Sequence, residues 1–274
     1  MPFFGFYCII IPNVCSWRLI VGECAMTDKT TNPVSLSGNT LKIIAAVCML
    51  IDHIGHILLP EYIILRIIGR VSMPIFAYMV AEGCYYTKDR KKYFLTVFLL
   101  SVVCQAVDYI YSGSLRLGIL VTFSLSIALV YSLQYTKEQV FSDTVLSFEK
   151  CRGIAIFLST VAAVYVLTRF VSVDYGFHGC MLPVYAEALR QNRVNKSSLL
   201  EKVDMPSYRV LAFAAGLLIL SVNSSGIQIY SLCSVLLLML YSGKRGKKKM
   251  KWFFYIFYPT HLLVLEAIRF FFIR

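Results

Sequence analysis

Charge is what this sequence has least of. Only 15% of its 274 residues are Asp, Glu, Lys or Arg, while 58% are hydrophobic. Mean hydropathy is +0.69. A soluble globular domain runs nearer about 45–50% apolar and about 25% charged. The shortage therefore excludes an ordinary soluble fold. Short segments of alternating polarity are also lacking, which excludes a membrane β-barrel. There is no phosphate-binding Gly-rich loop, no nucleophile elbow and no pair of metal-binding carboxylates, so nucleotide hydrolysis and serine hydrolase chemistry have no support. The nine cysteines contain no CxxC pair and fall mostly in apolar runs. They read as small hydrophobes, with no disulfide framework and no metal site.

What is present is a series of long apolar runs. Nine spans lie near 41–59, 63–82, 93–111, 117–134, 153–170, 176–190, 208–222, 227–242 and 252–272. Most have the length a bilayer requires; the sixth is short and holds Pro183 and Glu187, as a tilted or broken helix would. The expected fold class is all-α, a polytopic transmembrane helical bundle of about nine spans. A tenth is added if the apolar stretch FFGFYCIIIP inserts. Residues 1–40 read as an N-terminal extension, interfacial or upstream of a start at Met26, and 41–274 as one transmembrane domain.

The net charge of +12 would suggest nucleic acid in a soluble protein. Here it gathers in four loops, at 88–92, 137–152, 190–209 and 244–251. The intervening turns near 60–62, 112–116, 171–175 and 223–226 hold only Arg116. By the positive-inside rule the N-terminus is cytoplasmic and the C-terminus faces outward across a bacterial-type plasma membrane. No nucleic-acid partner is implied; the lipid bilayer is one.

The first hairpin, residues 41–83, is too polar for its place. It holds Lys42, Asp52, His53, His56, Arg66, Arg70 and Glu82. Such groups cost about 2.5–3.5 kcal/mol each at a helix centre on insertion scales. His53 lies roughly 18 Å into the first span at 1.5 Å per residue, and Arg66 and Arg70 return to the same level. Lys42 and His53 share a helix face, as do Asp52 and His56, and Arg66 and Arg70. Asp108, Asp174 and His178 fall at the outer end, and His261 near mid-membrane. Each has a plainer reading: a histidine can bond a neighbouring helix, Arg66 can snorkel, and Lys42 and Glu82 can be interfacial.

Histidine suits general-base work near neutral pH. A carboxylate beside it can orient the ring, and arginines can hold a developing oxyanion. Acyl transfer from a thioester to an amine or hydroxyl fits that set. A cytosolic acyl-CoA would enter from the Lys42 side, so a tunnel from the basic face to His53 is expected.

Four ordered blocks carry a resemblance: LKIIAAVCMLIDHIGHIL, LRIIGRVSMPIFAYMVAEGCYYTKDRKKY, DYGFHGCMLPVY and FFYIFYPTHLLVLEAIR. They resemble the TraX family of integral membrane proteins, associated with conjugal pilin acetylation. The spacing of Lys42 and His53, a basic residue, ten residues, then histidine, is distantly similar to the acyltransferase type 3 enzymes. These likenesses imply an acetyltransferase using acetyl-CoA. They imply His53, with Asp52 and Arg70, as the catalytic set. His56, Arg66, Asp108, Asp174, His178 and His261 would form the acceptor or oxyanion site, with Lys42 and Glu82 on the donor side. Tyr175 and Pro259 also fall in the blocks. The acceptor would be a peptide, a pilin or another envelope molecule. The alternative is a proton-coupled transporter with a path through Asp52, His53, His56 and Asp108.

Overall fold

A computed structural model describes residues 35–113, 116–142, 146–194, 197–224, 226–247 and 250–272. The N-terminal apolar stretch, and with it the question of a tenth span and of Met26, lies outside them. The fold is all-α. Its helices are α1 (Gly38–Ile57), α2 (Ile63–Gly69), α3 (Ser72–Tyr86), α4 (Arg90–Ser112), α5 (Ile119–Val140), α6 (Ser147–Phe170), α7 (Gly176–Ala188), α8 (Ser198–Val203), α9 (Pro206–Val222), α10 (Cys233–Met239) and α11 (Lys251–Phe272). A 3₁₀ segment, Gly226–Leu232, leads into α10.

Five of these are long and apolar enough to cross a membrane: α1, the joined α2–α3 (Ile63–Tyr86), α4 (over Arg90–Ile110), α5 and α6. The nine expected spans therefore divide. The sixth becomes α7, only 13 residues long and buried along its middle. Pro206–Val222 and Gly226–Met239 are shorter apolar helices. Half of the α2–α3 and α5 spans is buried, against 11% of α4 and α6. So α3, α5 and α7 form the centre, and α4 and α6 turn apolar faces outward, as in an integral membrane protein.

The core is a set of fully buried side chains around that centre, including Leu41, Ile75, Ile127, Leu129, Leu182, Phe213 and Leu217. Each such side chain contributes about 1.5–3 kcal/mol when the alternative is water. In lipid that driving force is absent, and close backbone approach counts for more. Gly69 illustrates it: a Cβ there would stand 2.2 Å from Asp52, so only glycine lets α2 lie against α1.

The second span is not one helix. Pro74 has no N–H to give the carbonyl of Arg70, and its ring crowds that carbonyl. The chain breaks between α2 and α3 at Arg70–Val71. At the other end of the bundle, the loop after α10 closes onto the start of α1. Gly38 N donates to Lys244 O (2.8 Å) and Asn39 N to Arg245 O (2.9 Å). Gly243 and Gly246 supply the positive φ values (69° and 97°) that this turn needs.

Candidate active site

Asp52, His53 and His56 sit in the last two turns of α1. Neighbouring residues on a helix diverge by about 100°, so Asp52 and His53 meet different partners. Asp52 faces α2. Its Oδ2 accepts from Arg66 Nη1 at 2.6 Å and its Oδ1 from Arg70 Nη2 at 2.8 Å. The break at Arg70 keeps its guanidinium on this side, where Nε donates to Arg66 O (3.2 Å) and Nη1 lies 3.5 Å from the Tyr175 hydroxyl. One carboxylate thus holds two guanidiniums, and the trio carries a net charge of about +1.

His53 faces α11 instead. Its Nδ1 lies 2.8 Å from Met49 O and 3.3 Å from His261 Nε2. His261 Nδ1 in turn lies 2.8 Å from Phe257 O. A carbonyl oxygen only accepts, so both rings carry their proton on Nδ1. Nε2 of His53 is then the basic nitrogen of that ring. The side chain within hydrogen-bond distance of His53 Nδ1 is His261, whereas the oxygens of the adjacent Asp52 go to the arginines.

Tyr175 enters from the loop before α7. It has φ of 60°, the one non-glycine residue with positive φ among those described. Such a conformation persists only where its surroundings impose it. Here they do: Thr122 Oγ1 donates to Asp174 O (2.7 Å), and Asp174 N to Leu117 O (2.9 Å). The Asp174 carboxylate pairs with Arg116 Nε at 3.1 Å. Burial pushes the Asp174 carboxyl up, and Arg116 pulls it back.

Asp52, His53, Arg66, Arg70, Arg116, Asp174 and Tyr175 line one cavity of about 1200 Å³. Lys42, Glu82, Tyr86, Tyr241 and Arg245 belong to its basic end. His56, Arg66, Arg70, Asp108, Arg116, Asp174 and Tyr175 belong to its far end, and His53 lies between. Residues of the basic loop 244–251 and the His53 region thus line the same cavity. His261 is 7% exposed and touches His53 from behind the cavity wall. His178 is not among the lining residues; its ring lies against Phe177. Among the described residues no group of three His, Cys, Asp or Glu side chains is arranged to hold a metal ion.

Glu82 is less open to a ligand than its position in the sequence implies. It is ion-paired with Arg190 and accepts from the Tyr241 hydroxyl at 3.0 Å. Arg245 and Gln228 are polar lining residues that no motif marks. Arg245 is one of many basic loop residues, placed by the turn on α1. Gln228 is 2% exposed, and its Nε2 has no hydrogen-bond partner among the described residues. A lone glutamine within GIQIYSL gives no spacing signal; only its polarity in an apolar run marks it.

The family model described as TraX protein matches residues 37–269. A probable fimbrial assembly protein, FimC of serogroup H1 from Dichelobacter nodosus, is 24% identical across 87% of this chain and 98% of its own length. An uncharacterized protein of Rickettsia prowazekii is 37% identical across 26% of this chain and 35% of its own. No solved structure matches. The matched region takes in every helix of the first hairpin, the Asp174–Tyr175 loop and His261, and on that extent the chain belongs to the TraX family.

Proposed function

We propose that this protein is a membrane acyltransferase that moves an acyl group, acetyl in the first instance, from acyl-CoA to an amine or hydroxyl acceptor. One observation carries the reading: a single cavity joins the Lys42–Arg245 end to His53. The basic end would face the cytoplasm and receive the phosphates of the donor. The long pantetheine arm would then carry the thioester to His53, about 16 Å further along α1.

His53 Nε2 takes the proton of the acceptor as its nitrogen or oxygen attacks the thioester carbonyl. The carbonyl oxygen becomes an oxyanion, and the excess positive charge of the Asp52–Arg66–Arg70 trio suits it. The C–S bond then breaks, and the thiolate recovers the proton from His53. The acceptor is proposed to be a pilin or another envelope molecule. A fimbrial assembly protein among the relatives supports that choice.

Acetyl-CoA turnover by the purified full-length chain tests the reading, comparing wild type with His53→Ala. Turnover by the wild type and its loss in the variant support the enzyme. Absence of CoA binding, with proton-coupled flux in vesicles and flux lost in Asp52→Asn, would sink it in favour of a transporter.

A further inference from the structure

The pairing of His53 with His261 is used by no step above. We propose that His261 is a positioning residue for His53, accepting the His53 Nδ1–H at its own Nε2 and holding the imidazolium that forms during transfer. This rests on the reading of His53 as the base.

Three contacts fix the arrangement. Phe257 O takes the Nδ1 proton of His261 at 2.8 Å and so leaves its Nε2 as a lone pair. The Phe257 ring stacks on the imidazole, with centroids 4.9 Å apart and planes 13° from parallel. His53 meets this lone pair nearly edge-on, with centroids 5.0 Å apart and planes at 65°. The His53 Nδ1–H is shared between Met49 O and His261 Nε2. Both acceptors are neutral. They stabilise a cation on His53 without holding a permanent charge in an apolar layer, where an ionised partner costs more. A carboxylate in this place would do the same work at that expense; Asp52 is one residue away and faces the arginines instead.

The arrangement also sets where the proton goes. With both Nδ1 atoms committed, His53 gains its proton only at Nε2, on the cavity side. Protonating His261 at Nε2 would set that new N–H against the N–H of His53, so the pair accommodates one proton and resists a second. The acceptor's proton then stays on His53 until the thiolate takes it back. No proton is lost behind the wall.

A plainer role exists: two histidines hydrogen-bonded between helices simply hold α11 to α1. The experiment must separate the two. The full-length protein carrying ¹⁵N-labelled histidine, in lipid nanodiscs, gives the protonation of each ring nitrogen by NMR. His261→Phe and His261→Gln give the function, because Gln restores an acceptor oxygen near the position of Nε2 and Phe does not. In the wild type, His261 is expected to show a bare Nε2 and His53 an Nδ1–H. Turnover number should fall about 10- to 100-fold in His261→Phe, the worth of one hydrogen bond to a charged group. KM for acetyl-CoA should change less than about 3-fold, and His261→Gln should recover most of the rate.

An Nε2–H on His261 overturns the proposal, and that result needs no activity and no variant that folds. Full turnover in His261→Phe, with His53→Ala inactive, also overturns it while leaving the acyltransferase reading intact. Equal loss in Phe and Gln variants, with a matching fall in thermal midpoint, assigns His261 to helix packing alone. A wild type that neither binds CoA nor turns it over removes the reading itself, and this proposal with it.

Discussion

Two ionic clusters border the same cavity, and they are built differently. At the basic end, Glu82 pairs with Arg190, which also reaches Glu187 at 3.6 Å and lies over the Tyr85 ring at 4.1 Å. Lys137 Nζ caps the carbonyls of Glu187 and Arg190, and Gln134 donates to Glu187 at 2.8 Å. The side chains of Arg190 and Glu187 are each 3% exposed. Two acids and two bases balance, and α3, α5 and α7 are tied together. At the far end Asp52 faces two arginines, and Arg66 keeps 23% of its side chain exposed. The first cluster is closed and neutral; the second is open and positive. The first therefore reads as a clasp, and the second as a wall that can still act on a ligand.

Removing one member from each cluster would break or uphold that contrast. Arg190→Met leaves Glu82 buried without its cation. The expected loss is about 3–5 kcal/mol of stability, read as thermal unfolding in micelles. Adding Glu82→Met should restore much of it. Arg66→Met leaves Asp52 still paired with Arg70, and its loss should be nearer about 1 kcal/mol. Equal losses would abolish the distinction between clasp and wall.

The far cluster has a geometric weak point. Gly69→Ala puts a methyl 2.2 Å from the Asp52 side chain. Either α2 moves away or Asp52 leaves its arginines. Overpacking of this kind costs about 1–3 kcal/mol. Acetyl-CoA turnover should fall as well, since the guanidiniums lose the carboxylate that sets them. A variant with unchanged stability and turnover would mean that the Asp52–arginine trio is not held by the helix contact.

How much of this was readable beforehand depends on distance along the chain. The first span, expected at 41–59, is α1, and the short sixth span begins at Gly176 as read. Arg66 and Arg70 could be levelled with His53 and His56 because one tight turn joins their helices and helix rise is constant. The break at Arg70–Val71 was also latent, in Pro74, but a hydropathy profile passes through proline without a mark. The His53–His261 pairing had no such signal. It depends on which face of α11 meets α1, and 207 intervening residues separate the two rings. Asp52 does not bond the His53 ring for a local reason: adjacent side chains on a helix diverge by about 100°, so Asp52 meets the arginines and His53 meets His261. Depth and the DYGFHGCMLPVY block both place His178 with the site, but its ring lies against Phe177 on α7 and does not line the cavity.

At the basic end the ligand-facing charge should lie with Lys42 and Arg245 rather than with the clasp. Arg245→Ala, on an exposed turn, should leave the thermal midpoint unchanged and raise KM for acetyl-CoA about 10-fold, as loss of one charge-assisted bond would. Turnover number should hold. A change in turnover number with KM constant would place Arg245 near the chemistry, against the separation of a donor end from a reacting end.

The smallest effect is the most discriminating, because it concerns a residue in neither cluster. Gln228 lines the same cavity and is buried, its Nε2 without a partner among the described residues. An unmet donor costs about 1–3 kcal/mol of desolvation, so the fold gains nothing from it. Gln228→Leu should therefore leave stability unchanged or raise it by about 1 kcal/mol, which a packing glutamine would not do. If the open wall extends to the 3₁₀ segment, the same variant should weaken acceptor binding a few-fold and leave KM for acetyl-CoA unaltered. A destabilised variant with normal kinetics would assign Gln228 to the scaffold and confine the open wall to the trio around Asp52.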